Sequence, residues 1–312
     1  MPPYIPLSQA EIQTVLQDCG HRVAAIQPEA RLAAVAWLAR FTPQQWPVEW
    51  YLPLWLGRAY GVDPTVWYAL TTCNVLGLGF VAAQDDLMEA GGQEVDETLE
   101  LLAPLLHQAA LTELHALFPA HDPFWSFYQQ AMTEWQQAQI SGDQITDKPF
   151  ALWQRDGLVQ CGWRGAPLKI TATALCLLAG RAAVIPRLHA TLNALLAAQV
   201  LLDHLDDWQE DLAAGRFNIF VAFAADQPQW AGRRADNQRR TQQTLMRGDP
   251  TPYFALIDTA FVAAQQHAEA CACPDFSAFL AEQRSAAAVK CQAIWQAAQL
   301  FLQAAISSVL TG

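Results

Sequence analysis

The stretch Leu188-His-Ala-Thr-Leu-Asn-Ala-Leu-Leu-Ala-Ala-Gln-Val-Leu-Leu-Asp-His-Leu205 repeats apolar residues at intervals of three and four. This spacing places the apolar residues along one face of an α-helix, and the same pattern returns from Phe276 to Leu310. Alanine, leucine and glutamine dominate the chain, whereas clusters of β-branched residues are scarce, which favours helices over strands. The sequence therefore predicts an all-α fold.

The composition is typical of a protein with a large buried core. Of the 312 residues, 53% are hydrophobic and 15% are charged, against roughly 25% charged residues in an average soluble domain. No low-complexity linker divides the chain, so we predict one domain over residues 1–312, with an N-terminal helical segment at 1–44 and a core at 45–312. No repeat of fixed period is present, which favours a globular helical bundle over a solenoid.

Charge and cysteine content exclude several functional classes. The net charge of -12 disfavours binding to a nucleic-acid backbone. The 7 cysteines lack metal-ligand spacing and are predicted to be reduced thiols of a cytoplasmic protein, and no signal peptide is visible. Polar residues interrupt the longest apolar stretches, Val66 to Ala83 and Thr171 to Ile185, so these are interpreted as core helices rather than membrane spans.

A first acidic motif ends an apolar segment just before Gly91, and it contains Asp85, Asp86 and Glu89. Asp85 and Glu89 are four residues apart, so on a helix they lie on the same face and repel each other. At the C-terminal end of a helix their charges also oppose the macrodipole. A bound cation would offset this cost, and a solvated helix end is the alternative interpretation.

A second acidic motif reads Asp203-His-Leu-Asp-Asp207-Trp-Gln-Glu-Asp211, with five acids and no Lys or Arg in nine residues. Asp203, Asp207 and Asp211 are spaced four and four, which on a helix forms a stripe of carboxylates about 12 Å long. A merely solvated helix face would usually include basic partners four residues away. The pattern favours a cation site over a solvated face.

Two groups of carboxylates in an otherwise apolar chain provide hard oxygen ligands of the kind that Mg²⁺ prefers. A Ca²⁺ site of the EF-hand type is disfavoured because its loop is absent, and Zn²⁺ is disfavoured because His204 is alone. A di-iron bundle would need Glu-x-x-His pairs, which do not accompany these acids. A diphosphate between the two groups would complete the coordination of Mg²⁺.

These motifs resemble those of the class I isoprenoid synthases, an all-α family that includes terpene synthases, trans-prenyltransferases and squalene/phytoene synthases. Asp85-Asp86-Leu-Met-Glu89 is similar to the first aspartate-rich motif of that family. Asp203, Asp207 and Asp211 are similar to its second motif, and the continuation to Gly215-Arg216 resembles squalene/phytoene synthases. The resemblance implies a helical bundle with a central apolar cavity, and it implies that a set of six acids binds three Mg²⁺ ions, with Mn²⁺ as an alternative: Asp85, Asp86, Glu89, Asp203, Asp207 and Asp211.

The same resemblance implies that an allylic isoprenyl diphosphate is ionised, with Asp85, Asp86 and Asp207 as catalytic residues. Basic elements typical of chain-elongating prenyltransferases are absent, and Ala82-Ala83-Gln84 stands where squalene/phytoene synthases carry an arginine. A one-substrate terpene synthase, which cyclises or rearranges the carbocation, is therefore preferred. A prenyltransferase, by chain elongation or head-to-head condensation, and a non-catalytic helical protein remain alternatives.

Further residues are assigned to substrate binding. By analogy with the family, Arg164, Lys169 and Arg216 are expected to bind diphosphate, although Lys169 could instead extend to solvent and Arg216 could pair with Asp211. The basic run from Arg233 to Arg240 is interpreted as a solvated loop, with a lid as the alternative. The expected substrate is a small isoprenyl diphosphate, and a homodimer is left open. Four aromatic residues are candidates for lining the cavity, with core packing as the alternative for each: Trp55, Trp67, Phe80 and Trp208.

Overall fold

The computed structural model describes residues 6–89, 97–142, 150, 160–228 and 237–311. These residues form helices and short connections and contain no strand, which confirms the all-α prediction. A helical turn at 160–163 and two 3₁₀ turns, at Pro28–Ala30 and Ala182–Val184, lie between the longer elements. The α-helices are α1 (Gln9–Ile26), α2 (Arg31–Leu38), α3 (Pro47–Tyr60), α4 (Pro64–Glu89), α5 (Glu97–Leu117), α6 (Phe124–Gly142), α7 (Leu168–Leu178), α8 (Ile185–Asp206), α9 (Trp208–Ala213), α10 (Ile219–Ala225), α11 (Asn237–Arg247), α12 (Thr251–Glu269) and α13 (Pro274–Thr311).

The chain divides into two compact units. The first contains Met1–Ala131, Pro167–Leu188 and Cys271–Phe276, and the second contains Met132–Ala166, His189–Ala270 and Ser277–Gly312. The first acidic motif belongs to the first unit and the second acidic motif belongs to the second unit. The single domain over residues 1–312 remains a prediction.

In the first unit, α4 is central and packs against α1, α3, α5 and α7. Helix α7 is buried from Leu168 to Cys176, which agrees with the apolar character of its sequence on every side. Close packing on α4 depends on Gly79, because a Cβ atom there would overlap Leu38. The carbonyl of Gly79 also accepts a hydrogen bond from Trp37 Nε1 at 2.9 Å.

A buried polar contact joins three helices of the first unit. Asn74 of α4 donates from Nδ2 to the carbonyl of Glu49 in α3 at 2.8 Å. Its Oδ1 accepts a hydrogen bond from Thr171 Oγ1 of α7, also at 2.8 Å. Because buried amide groups are costly unless they are hydrogen-bonded, this pairing specifies how α3, α4 and α7 align.

In the second unit, aromatic side chains fill the core around α10 and α12. The ring of Tyr253 contacts Phe220 and Phe223, with centroid distances of 5.0 and 5.4 Å. The buried Tyr253 hydroxyl donates to the carbonyl of Leu201 at 3.0 Å, which ties α12 to α8. The aromatic core thus supports α8 two residues before the second acidic motif begins at Asp203.

Two described helical segments, Pro64–Met88 and Ala182–Asp206, are long and apolar enough to cross a membrane by length and composition. Of their most apolar windows, 56% and 50% of the residues are buried inside the fold. Core helices of soluble proteins meet the same criteria, so these segments are weak support for a membrane protein.

Candidate functional site

The second acidic motif spans a break between two helices. Helix α8 ends at Asp206, and α9 begins at Trp208 with Asp207 as its N-cap residue at φ −95° and ψ 10°. The prediction that Asp203, Asp207 and Asp211 lie on one continuous helix is therefore wrong. A break here places Glu210 and Asp211 in the first turn of α9, where the macrodipole favours negative charge.

The three aspartates nevertheless keep a helical spacing across the break. The amide of Asp207 donates to the carbonyl of Asp203 at 2.9 Å, and the amide of Asp211 donates to that of Asp207 at 3.0 Å. Each carboxylate thus stays about one helical turn from the next. The charges of Asp207 and Asp211 both raise the pKa of Asp203, so the side chains are close enough to repel one another.

Arg216 neutralises the distal end of this motif. Its Nε donates to Asp211 Oδ1 at 2.9 Å, and one of its terminal nitrogens donates to Glu210 Oε1 at 3.2 Å. The turn depends on Gly215, whose φ of 71° is favoured by glycine, and it lets the Arg216 amide donate to the Asp211 carbonyl at 2.8 Å. The structure thus realises the pairing of Arg216 with Asp211 that was the alternative to diphosphate binding.

Asn218 connects the two helices that carry the motif. Its Nδ2 donates to the His204 carbonyl of α8 and to Asp211 Oδ2 of α9, both at 2.8 Å. Its Oδ1 accepts from the amides of Phe220 and Val221 and so caps α10. A single buried amide side chain therefore determines how α8, α9 and α10 meet.

His204 has a structural environment rather than that of a metal ligand. Its Nδ1 accepts a hydrogen bond from the Ile219 amide at 3.0 Å. Burial, together with the charge of Arg164, lowers the pKa of His204 to about 4. The imidazole is therefore neutral at pH 7, with Nδ1 already engaged.

Asp206 pairs with a base from a distant part of the chain. Lys290 Nζ of α13 donates to Asp206 Oδ2 at 2.7 Å, and both side chains are largely exposed. The acidic run thus has a basic partner that inspection of the neighbouring sequence does not reveal. This ion pair lies beside the candidate ligands and contributes only modestly to stability because it is exposed.

Asp203 and Asp207 differ from their neighbours because the described residues offer them no side-chain hydrogen bond or ion pair. Desolvation by surrounding atoms raises the pKa of Asp203 although its side chain reaches solvent, and repulsion from Asp207 and Asp211 adds to this effect. The pKa of Asp207 is raised by desolvation and by the charges of Asp206, Asp211 and Glu210. The two exposed carboxylates therefore lie where negative charge is concentrated, and the charges of Lys290 and Arg164 offset only part of it.

Arg164 and Lys169 are only five residues apart, yet they have different surroundings. Arg164 is exposed, and its charge lowers the pKa of both Asp203 and His204, so it lies near the second motif. Its position depends on Gly162, where a Cβ atom would collide with the backbone of Asn193 in α8. Lys169 is 2% exposed in the first turn of α7 and belongs to the first unit, so the alternative that it extends to solvent is wrong.

The first acidic motif occupies the last turns of α4. Asp85 is half-buried, and the exposed Asp86 forms a long ion pair with Arg40 at 3.9 Å. Glu89 is the last residue of α4, but its side chain lies outside the described residues, as do Arg233 and Arg234 of the basic run. Asp86 thus has a weak basic partner that follows α2, and the ligand roles of Asp85 and Asp86 remain predictions.

The four aromatic candidates lie in different environments. Trp55 is 1% exposed and stacks on Tyr51 and Phe276 with centroid distances of 5.7 and 5.8 Å, so it serves core packing. Trp208 is 6% exposed, whereas Trp67 and Phe80 are half-buried. Phe80 stacks on His107 at 4.6 Å. The central apolar cavity remains a prediction.

Within the described residues, no three His, Cys, Asp or Glu side chains are grouped so that they could hold a metal ion by themselves. Asp203, Asp207 and Asp211 thus do not form a closed ligand set. Mg²⁺ tolerates such an open arrangement, because it keeps several waters and takes oxygens from bound phosphates. The roles of Asp203, Asp207 and Asp211 as metal ligands remain predictions.

Reasoning from sequence missed three residues that surround the acids, which are Asn218, Lys290 and Arg40. Asn218 carried a signal, because Asn directly before an apolar run is a typical N-cap. Lys290 is 84 residues from Asp206, and Arg40 lies far before Asp86 in the sequence, so only the tertiary structure reveals these pairs.

No protein-family model, curated protein or solved structure matches this chain.

Proposed function

We propose that this chain is a class I terpene synthase, which uses Mg²⁺ to ionise an allylic isoprenyl diphosphate and then cyclises or rearranges the carbocation. The observation that carries the proposal is the pair of Asp203 and Asp207. Both carboxylates have a raised pKa, and neither has a side-chain partner among the described residues. Their neighbours Asp206 and Asp211 are already neutralised by Lys290 and Arg216.

In and around the second motif, different residues have different roles in binding. Asp203 and Asp207 would hold Mg²⁺ through their oxygens, while Arg216 and Asn218 keep Asp211 and the break between α8 and α9 in place. Arg164, whose charge acts on Asp203, would donate hydrogen bonds to the diphosphate oxygens. When bound, Mg²⁺ stabilises the negative charge that builds up on a departing diphosphate.

The role of Asp85 and Asp86 as further ligands is supported by their motif and its similarity to the isoprenoid synthases. The carboxylates would bind Mg²⁺, and apolar side chains would exclude water from the carbocation. Buried Trp208, which directly follows Asp207, is one such side chain.

The test incubates purified protein and Mg²⁺ with allylic diphosphates of ten, fifteen, twenty and twenty-five carbons, each with and without isopentenyl diphosphate. Mass spectrometry of the organic extract then identifies the products. A hydrocarbon or alcohol from one allylic substrate alone supports a terpene synthase. A longer diphosphate that requires isopentenyl diphosphate would make the chain a prenyltransferase, and no turnover in any tube would leave the acids with a structural role.

Two neighbouring aspartates provide a matched control. Asp207→Asn removes a carboxylate that lacks a side-chain partner, whereas Asp206→Asn removes the adjacent one that is paired with Lys290. We expect Asp207→Asn to lower turnover on the order of 100-fold or more and Asp206→Asn to retain most of it. Equal losses in both variants would contradict the assignment of Asp207 as a ligand.

A further inference from the structure

Helix α13 presents one uncharged side to solvent, which we call its outer face. Val289 and Leu300 on this face are large apolar residues, yet they are 69% and 65% exposed. The residues of the face recur at intervals of three and four, so they form one stripe, about 27 Å long, on the helix. All six of them are exposed: Ala286, Val289, Ala293, Ala297, Leu300 and Ala304.

The opposite side of α13 is attached to the second unit. Ala287 and Cys291 are buried there, with 3% and 5% exposure. Gln299 Nε2 donates to the carbonyls of Leu245 and Met246 in α11 at 3.2 and 2.9 Å. The helix is thus held on one side, and its outer face is available for contact with another molecule.

The outer face also differs from the rest of the chain in charge. The chain has a net charge of -12, yet no residue from Cys291 to Thr311 is charged. The last charged residue of α13, Lys290, is already paired with Asp206. Two copies of this chain repel each other through their acids. The outer face is a surface through which they can approach without placing acids against acids.

The polar side chains that flank the outer face can pair with copies of themselves. Gln292, Gln296 and Gln303 are exposed beside the stripe. A two-fold interface brings the same patch of both subunits together, so its groups must be self-complementary. An amide side chain meets this requirement, because it both donates and accepts hydrogen bonds.

We propose that the outer face of α13 is the interface of a homodimer, in which two copies of the helix pack antiparallel with their centre between Ala293 and Ala297. The small alanines then meet where the helices are closest, and Val289 of each copy lies next to Leu300 of the other. Such a contact is smaller than a standard protein interface, so we expect a dissociation constant in the micromolar range. Dimerisation through this face does not depend on terpene synthase activity.

Charge disfavours a membrane as the occupant of this face. Helices that lie on a bilayer usually carry Lys or Arg beside their apolar stripe. Here the stripe is flanked by glutamines, and the net charge of -12 repels anionic lipids. A second copy of the chain needs no such basic residues.

Sedimentation velocity of the full chain from about 1 to 200 µM tests the dimer. The wild type should shift from monomer to dimer within this range. Ala297→Glu places like charges close together across the interface and should weaken the dimer on the order of 10-fold or more. A wild type that stays monomeric throughout would overturn the proposal, and so would binding to anionic vesicles in place of dimerisation.

Ala288→Glu is the matched control, because Ala288 is also exposed on α13. It lies two residues after Ala286, which corresponds to about 200° around the helix and places it off the outer face. This variant should dimerise as the wild type does. Equal weakening by Ala288→Glu and Ala297→Glu would overturn the proposal. Circular dichroism verifies that both variants retain their helices.

A pair of variants tests the antiparallel arrangement. Ala293→Glu and Ala297→Lys should each weaken the dimer when studied alone, because like charges then face one another. In an equimolar mixture, position 293 of one copy lies opposite position 297 of the other, so opposite charges meet. We expect the mixture to recover most of the dimer. A mixture that dimerises no better than either variant alone would overturn the antiparallel pairing.

Discussion

Around the second acidic motif, side chains from three other positions neutralise or hold the carboxylates, namely Arg216, Asn218 and Lys290. At the end of α4, the exposed Asp86 makes a long contact with Arg40, and Asp85 is half-buried. Three short hydrogen bonds thus tie the second region to other helices and turns, whereas the contact of Asp86 with Arg40 is long and exposed. We therefore expect substitutions in the second region to lower the free energy of unfolding, and substitutions in the first region to affect chiefly ligand binding.

The largest expected effect is the loss of activity in Asp85→Ala. If Asp85 is a metal ligand, turnover with Mg²⁺ should fall on the order of 1,000-fold. The helical fold should remain intact, because Asp85 lies in the last turns of α4 and not in the buried core. Product formation measures turnover, and circular dichroism measures helix content.

Met88→Ala is the control for Asp85→Ala, since Met88 lies in the same end of α4 and its side chain is 52% exposed. It should match the wild type in both measurements. If Asp85→Ala remained fully active, the first motif would be only a solvated helix end, and the two regions would differ in function as well as in stability.

The second prediction concerns His204, whose pKa is lowered to about 4 in the folded chain from an ordinary value of 6.5. The unfolded chain therefore binds more protons below pH 6.5, and stability should fall as the pH drops from 6.5 towards 4. The linked loss is about 3 kcal/mol, since each pKa unit corresponds to about 1.4 kcal/mol. Urea unfolding at several pH values measures it.

His204→Asn tests the cause of this pH dependence, because an Asn side chain can keep an acceptor for the Ile219 amide without titrating. The variant should lose most of the decline in stability between pH 6.5 and 4. An unchanged decline would assign the pH dependence to other groups.

The third prediction compares Asn218→Ala with Asp86→Ala. Loss of the Asn218 amide removes the cap of α10 and the links to His204 and Asp211, which should cost about 2 kcal/mol of unfolding free energy. Asp86→Ala removes only a long, exposed ion pair and should cost less than about 0.5 kcal/mol. Similar values for both variants would remove the structural distinction between the two regions.

Local sequence patterns predicted the helices well but the surroundings of the acids poorly. Apolar periodicity over Leu188 to Leu205 and Phe276 to Leu310 corresponds to α8 and α13, because the period of a helix is a local property. The break at Asp207 was missed, because it depends on the balance of helix dipoles and on the tertiary support from Asn218. The ion pair of Asp206 with Lys290 was also missed, since no local rule relates residues that are 84 positions apart.

The smallest expected effect concerns the difference between unpaired and paired acids within the second motif. The raised pKa of Asp203 means that the folded chain holds its proton more tightly than the unfolded chain, for which 3.8 is the ordinary value. The contribution of Asp203 is therefore fully present below pH 3.8 and is lost as the pH rises through the folded pKa. Asp203→Asn lacks this titration, so its stability relative to the wild type should increase as the pH rises above 3.8.

Mg²⁺ should reverse this advantage of Asp203→Asn at pH 7. A cation that binds only the folded, ionised site raises the stability of the wild type, whereas the Asn variant gains less. Asp206→Asn is the paired control, because it removes the ion pair with Lys290 and should cost up to about 1 kcal/mol with or without Mg²⁺. Thermal unfolding with and without Mg²⁺ measures these differences, and equal stabilisation of the wild type and Asp203→Asn would show that the ion does not bind through Asp203.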